Sequence, residues 1–341
     1  LSLHDALPIY DIINKPDSIQ AEEILQRFQE QMLNISIEQG EGANVVKFGQ
    51  GTRERLLRRI NNPTDVLGLK IGWQTWDKVT QGLCGNDLTV IVGESKTGKS
   101  TMLLNMAKVL SIDSMLPGLY LDTEMTSEEQ EDRMLSIISG VPFEEIRNGM
   151  CNIDTEYGER VNKMRAIDEA IIKLEESPFY HVYLPDFSID KVTALVRRYK
   201  VQYNIQYFIF DYIKLPDNEV RSLQSSAEWQ KLGYFTSCLK NLCGICDIPG
   251  ITAAQANRQS IGNTNQDANS LGGSYRILQL ATRLCFIRNK LDYELIAENY
   301  AKGNQVLKIA YQRNGSSQGV EIDMQFEKPI LKMYEIGRRS D

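Results

Sequence analysis

Residues 93–101 read GESKTGKST, directly after the apolar run LTVIV at 88–92. Two glycines separated by four residues, with a lysine and a serine behind the second, leave backbone N–H groups that no side chain crowds. Gly93 and Gly98 also supply the φ values that such a turn needs. A loop of this kind requires a strand to deliver it and a helix to leave it, because the helix N-terminus adds its partial positive charge at the same spot. The match to G-x-x-x-x-G-K-[ST] therefore predicts a strand over 88–92 and a helix over 100–110. Its chemistry is the binding of a nucleoside triphosphate, read as ATP. Glu94, Ser95, Lys96 and Thr97 form the turn, Lys99 reaches the β- and γ-phosphates, the Ser100 hydroxyl ligates Mg2+, and Thr101 continues the first helical turn.

The remaining chain supplies the same alternation. Strands are expected over 118–121, 180–184, 207–210 and 250–253, and helices over 127–138 and 159–174. This order predicts an α/β fold with a mostly parallel central sheet and helices on both faces. From 306 onward β-rich runs flank Asn314-Gly315, which predicts a C-terminal hairpin-containing extension. Before 66 the texture differs. Ala21, Ile24, Leu25, Phe28, Met32 and Ile35 recur at helical spacing, a glycine-containing linker follows, and TRERLLRRI reads as a short basic helix stopped near Pro63. Residues 10–65 are read as a helical arm whose apolar face needs a partner, and 66–341 as the ATPase domain. LSLHDALPI at 1–9 matches a translated library adapter, so those residues are expected to be non-native and the natural protein longer.

Composition excludes little. Of 341 residues 42% are hydrophobic and 24% charged, a normal globular balance with no apolar run long enough to cross a membrane. The net charge of −7 gives no bulk signal for nucleic acid, so DNA contact must come from a local basic patch, which a ring can hold in its channel. The cysteines at 84, 151, 238, 243, 246 and 285 are expected to be free thiols in a reducing compartment. Cys243-Gly-Ile-Cys246 has no second CxxC or histidine pair and reads as packing.

Hydrolysis needs carboxylates placed around the loop. Asp211, at the end of an apolar strand, is expected to hold the metal ion. Glu124, in LYLDTEM, is the expected base for the attacking water, with Asp122 as its competitor on the same strand. Gln255 follows another apolar strand and could sense the γ-phosphate. The long polar loop after it carries Gly272, Gly273 and Ser274, whose backbone N–H groups suit DNA phosphates, with Arg258 and Arg276 flanking. Lys214 and Arg221 mark a second candidate DNA segment. Trp73, Trp76, Trp229 and His181 read as structural.

Together these pieces resemble the ATPase domain of DnaB-family replicative helicases, on a RecA-like P-loop NTPase core. The stretches that carry the resemblance are GWQTWDKVTQGLCGNDLTVIVGESKTGKST, LYLDTEM, FIFDYIKL, ITAAQANR and YQRNG, in family order from about residue 66 to the end. The resemblance implies a ring of six around single-stranded DNA, 5′→3′ movement, action in the cytoplasm of a cell or of a virus host, and primase or a helicase loader as partners. It assigns Lys99 and Ser100 to phosphate and Mg2+, Glu124 to base, Asp211 to metal, Gln255 to coupling, and Arg313 in YQRNG to an arginine finger acting on a neighbour's nucleotide. Two departures stand out: Tyr311 where the family commonly has lysine, and QLAT at 279–282 where an acidic stretch is usual. The alternatives are a RecA- or RadA-like recombination ATPase, a nucleotide-gated scaffold and a small-molecule kinase.

Overall fold

The computed structural model describes residues 47–153, 159–214, 228–256, 277, 280–314 and 318–339. The chain divides into two units, Leu1–Pro63 and Thr64–Asp341. The described part of the first unit is helix α1, Thr52–Asn61. Gly51 enters it in the left-handed region at φ 70°, and the Asn62 amide closes it on the Arg58 carbonyl. Its leucines and isoleucine, Leu56, Leu57 and Ile60, are exposed. The amphipathic helix expected at 21–35 lies outside the described residues, as do residues 1–9.

The second unit is built on one nine-stranded sheet, in the order β3-β2-β4-β5-β1-β6-β7-β8-β9. The strands are β1 Leu88–Gly93, β2 Gly118–Asp122, β3 Phe179–Tyr183, β4 Tyr207–Asp211, β5 Gly250–Gln255, β6 Arg283–Asn289, β7 Gln305–Gln312, β8 Val320–Glu327 and β9 Lys332–Arg338. The first six pair in parallel and the last three extend the sheet antiparallel. The helices are α2 Gln74–Thr80, α3 Lys99–Ala107, α4 Ser127–Ser139, α5 Phe143–Arg147, α6 Glu159–Glu176, α7 Ile189–Tyr203, α8 Glu228–Cys246 and α9 Asp292–Ala297.

The alternation of side chains along a strand explains why both faces are covered. Ile91, Tyr120, Ile209 and Ile251 face a core formed with α2, α3 and α4, where Trp76, Met102, Leu103, Leu104 and Met134 are buried. Val90, Val92, Leu119, Leu121, Phe208 and Phe210 face a second core with α7 and α8, through Val192, Val196, Phe235 and Leu239. Trp73 and Trp76 meet edge to face, centroids 6.4 Å apart, and Trp76 also lies under the buried Arg283 guanidinium, so both tryptophans are packing residues. The Trp229 side chain lies outside the described residues. None of the described cysteines is in a disulfide, and burial pushes the Cys243 thiol up to about 12, which makes it inert.

Among the described residues the expected strands and helices are present, with ends moved by one or two residues except that α3 ends at Ala107 and not at 110. The chain leaves α3 through a wider π-type turn at Lys108–Asp113. Strands β6 and β9 and helices α2, α5 and α9 are not among the elements expected from the sequence. β6 is apolar only in its centre and begins and ends on polar residues, so its pattern is short.

An ion-pair cluster fastens α9 to the antiparallel half. Arg288 donates to both Glu294 oxygens at 2.7 and 2.8 Å, Arg339 to Glu294 at 3.1 Å and Asp323 at 2.9 Å, and the fully buried Lys290 ammonium to Glu298 and Asp323. The Arg288 bonds, helped by the Leu291 amide and Arg339, pull the Glu294 carboxyl from 4.5 to about 2. A folded value below the unfolded one stabilises the protein above pH 4.5 and is lost as pH falls from there towards about 2. The melting temperature is expected to drop over that window, and Glu294→Gln to melt lower at pH 7 with a shallower acid dependence. An unchanged acid slope in the variant counts against the assignment.

Candidate active site

The carboxyl ends of β1, β2, β4 and β5 converge at one edge of the sheet, where a parallel α/β fold places its ligands. Gly93 closes β1 opposite Gln255 of β5 and Ile287 of β6. A Cβ on Gly93 would meet the Ile287 carbonyl oxygen at 2.9 Å and Thr97 Oγ1 at 2.7 Å, so only glycine fits there. Gly98 turns at φ 86° into α3, and a Cβ on it would strike Met333 Cε at 2.6 Å. Within the turn Thr97 is buried, and its hydroxyl and amide both donate to the Glu94 carbonyl; Ser95 and Lys96 are exposed. Thr101 is buried in the first turn of α3.

Lys99 Nζ donates to the Gly93 and Glu94 carbonyls at 3.0 and 2.7 Å, folded back over the loop. Burial pushes its ammonium below the usual lysine range, while Asp211, Glu124 and Glu94 oppose the shift. Ser100 Oγ donates to Asp211 Oδ1 at 3.1 Å, and the buried Tyr120 hydroxyl to Oδ2 at 2.7 Å. Burial, then the charge of Asp122, pushes the Asp211 carboxyl up to about 6 against those two bonds. An acid held so reluctantly, beside a hydroxyl at the end of a phosphate loop, is a donor set suited to a hard divalent cation.

Asp122 and Glu124 separate cleanly. Asp122 is 1% exposed. Its Oδ1 accepts from the Glu124 and Met125 amides, both at 2.8 Å, and its Oδ2 from Gln130 Nε2 at 2.6 Å. Burial alone would raise its carboxyl; the neighbouring His181 and the bonds from Met125, Gln130 and Glu124 outweigh that and hold it low. Asp122 therefore fixes the turn that presents Glu124. Glu124 itself is exposed, near the Tyr212 phenol, and close enough to influence Lys99 and Asp211. His181, read as structural from its sequence surroundings, has a carboxylate beside it: its Nε2 is 3.7 Å from Asp122 Oδ2 and its Nδ1 2.8 Å from Ser127 Oγ.

Gln255 is exposed at the end of β5, and the next amide, Ala256, donates to the Gly93 carbonyl. Lys214 Nζ donates to the Thr123 carbonyl at 3.1 Å, next to Glu124. Arg313 is elsewhere. Its amide donates to the Thr282 carbonyl, and the Thr282 amide to that of Leu88, so Arg313 sits at the edge where β1 begins. The length of β1, roughly 17 Å at the usual strand rise, separates it from the phosphate loop of its own chain. Arg258, Gly272, Gly273, Ser274, Arg276 and Arg221 lie outside the described residues. Tyr120, Gln130 and Gln305 were not singled out from sequence: a tyrosine inside an apolar strand and glutamines inside a helix or strand carry no local signal until partners from distant segments meet them.

A family model described as the DnaB-like helicase C terminal domain matches residues 68–335. The replicative DNA helicase DnaB of Treponema pallidum is 26% identical over 272 residues, which cover 78% of this chain and 56% of that protein. Among solved structures, the ATPase domain of G40P superposes with a TM-score of 0.72 at 17% identity, covering 85% of this chain and 100% of that one. A DnaB-like replicative helicase, solved in a study of its interactions with primase, gives 0.73 at 16% identity over 97% and 74% of the two chains. These likenesses show a shared fold, the RecA-like core with an antiparallel extension. The chain spans about half the length of the curated relatives it matches in Treponema pallidum and Leifsonia xyli. With a family match over most of its length, on a fold that these ATPase domains share, this chain belongs to the DnaB-like helicase C-terminal domain family.

Proposed function

We propose that this chain is the ATP-hydrolysing motor of a replicative DNA helicase, working as a ring of six on single-stranded DNA. One observation carries the reading: the phosphate loop and Arg313 stand at opposite edges of one sheet, further apart than an arginine side chain extends. A cation placed there can complete only the site of another copy, through a head-to-tail interface that closes into a ring. Lys99 and the loop amides would hold the phosphates of ATP, and Ser100 with Asp211 a Mg2+ ion. That ion, when bound, neutralises charge on the phosphate oxygens. Glu124, exposed on a turn that Asp122 fixes, accepts the proton of the attacking water. Arg313 of the next copy faces the charge that grows on the transferring phosphoryl group. Gln255, one strand from Gly93, passes the nucleotide state to the loop that follows, where Arg258, Gly272, Gly273, Ser274 and Arg276 are the proposed DNA contacts. The arm at 10–65 supports the ring through a neighbouring copy. Movement 5′→3′, cytoplasmic action and a primase or loader as partner belong to the same reading.

Glu124→Gln is expected to lower the turnover rate about a hundredfold while leaving ATP affinity in place, checked by phosphate release and by binding of a fluorescent nucleotide. The reading as a whole is tested by forked-duplex unwinding, with oligomer mass measured alongside. Unwinding by a closed oligomer and ATPase stimulated by single-stranded DNA support it. Filaments on DNA without unwinding favour the recombination ATPase, and a DNA-indifferent monomer sinks both.

A further inference from the structure

Strand β7 touches the phosphate loop at its start and leads to Arg313 at its far end. At its start Gln305, 1% exposed, donates from Nε2 to the Thr97 carbonyl inside the phosphate loop at 2.8 Å and to Asn289 Oδ1 at 2.9 Å. At its far end come Gln312, whose amide side chain donates to the Val79 carbonyl, and then Arg313. The strand has eight residues, Gln305 and Gln312 included, roughly 25 Å of chain at the usual rise. β7 is hydrogen-bonded to β6 on one side and β8 on the other, so it moves as part of a stiff ribbon. The same ribbon underlies the loop a second time: Phe326 and Met333, on β8 and β9, press against Gly98. Gln305 Oε1 is buried and has no hydrogen-bond partner among the described residues. The amide thus keeps an acceptor for an N–H of a repositioned loop.

We propose that Gln305 is a positioning residue, through which each subunit's phosphate loop sets the placement of the Arg313 that the same subunit offers to the next site. This rests on the reading of Arg313 given above. ATP in one subunit then tightens its loop, shifts β7 by its Gln305 end, and alters the reactivity of the neighbouring site. The coupling is between adjacent nucleotides and needs no contact between them.

The test is the shape of the ATP saturation curve of the intact oligomer with single-stranded DNA. Gln305→Met keeps the side-chain volume and removes the donor. Wild type is expected to be cooperative. The variant is expected to lose cooperativity, its Hill coefficient falling to about 1, with half-saturation raised about three- to tenfold and the maximal rate within about twofold. A merely structural role would reduce the amount of active protein, lowering the maximal rate while leaving the curve's shape and midpoint alone. If Gln305→Met does not fold, Asn289→Ala, at an exposed position that orients the same amide, is read by the same criterion. A hyperbolic wild type, or a folded variant with an unchanged Hill coefficient, overturns the proposal. Arg313→Ala in parallel separates the two ideas. If it loses turnover while the Gln305 variant stays cooperative, only the coupling fails. If it keeps turnover, the reading of Arg313 fails first.

Discussion

Lys99→Ala is expected to reduce ATP turnover ~10³-fold or more while the protein melts at its usual temperature. The two halves of that expectation have one cause. The Lys99 ammonium rests on the Gly93 and Glu94 carbonyls in a place where burial works against its charge. The fold therefore gains little from this side chain, and removing it leaves no packed apolar cavity. What is lost, on the proposed reading, is the cation that reaches the phosphates; the loop's other lysine, Lys96, is exposed. Phosphate release and thermal unfolding of the same preparation decide the matter. Retained turnover, or a large loss of stability, contradicts the assignment.

Arg313→Ala is expected to cost ~10³–10⁵ in turnover, the range of an arginine acting on a transferring phosphoryl group. The informative experiment is a mixture. Lys99→Ala subunits carry an intact Arg313, and Arg313→Ala subunits carry an intact phosphate loop. On the proposed reading the two groups, which lie at opposite edges of the sheet, serve different sites. Random assembly of equal amounts restores about one site in four. Activity above that of either variant alone is expected on mixing, and none if the arginine serves its own chain.

Much of this site can be read from sequence because its parts are local. A phosphate loop is a continuous stretch with its own strand and helix, and Glu124 and Asp211 each end an apolar strand. The choice between Asp122 and Glu124 could be posed from sequence but not argued there. It depends on Gln130 and on two backbone amides closing over one carboxylate, which spacing does not encode. The position of Arg313 relative to Gly93 is likewise a property of sheet order. β6 joins the distant β1 and β7, and its short apolar centre follows a long polar loop, so neither its existence nor its neighbours are visible in the pattern. Gln305 is the extreme case: its bond to Thr97 spans 208 positions, and nothing near it in the chain marks it.

The placement of β1 also bears on how the protein comes into being. Its two flanking strands are β5 and β6, and the Leu88 amide bonds to Thr282, 194 positions later. During synthesis the residues of the phosphate loop leave the ribosome before either strand that flanks β1. The strands that give the loop its edge emerge only after it. A nascent chain therefore holds the motif without the cradle, and ATP has nothing to grip until the late strands close around β1.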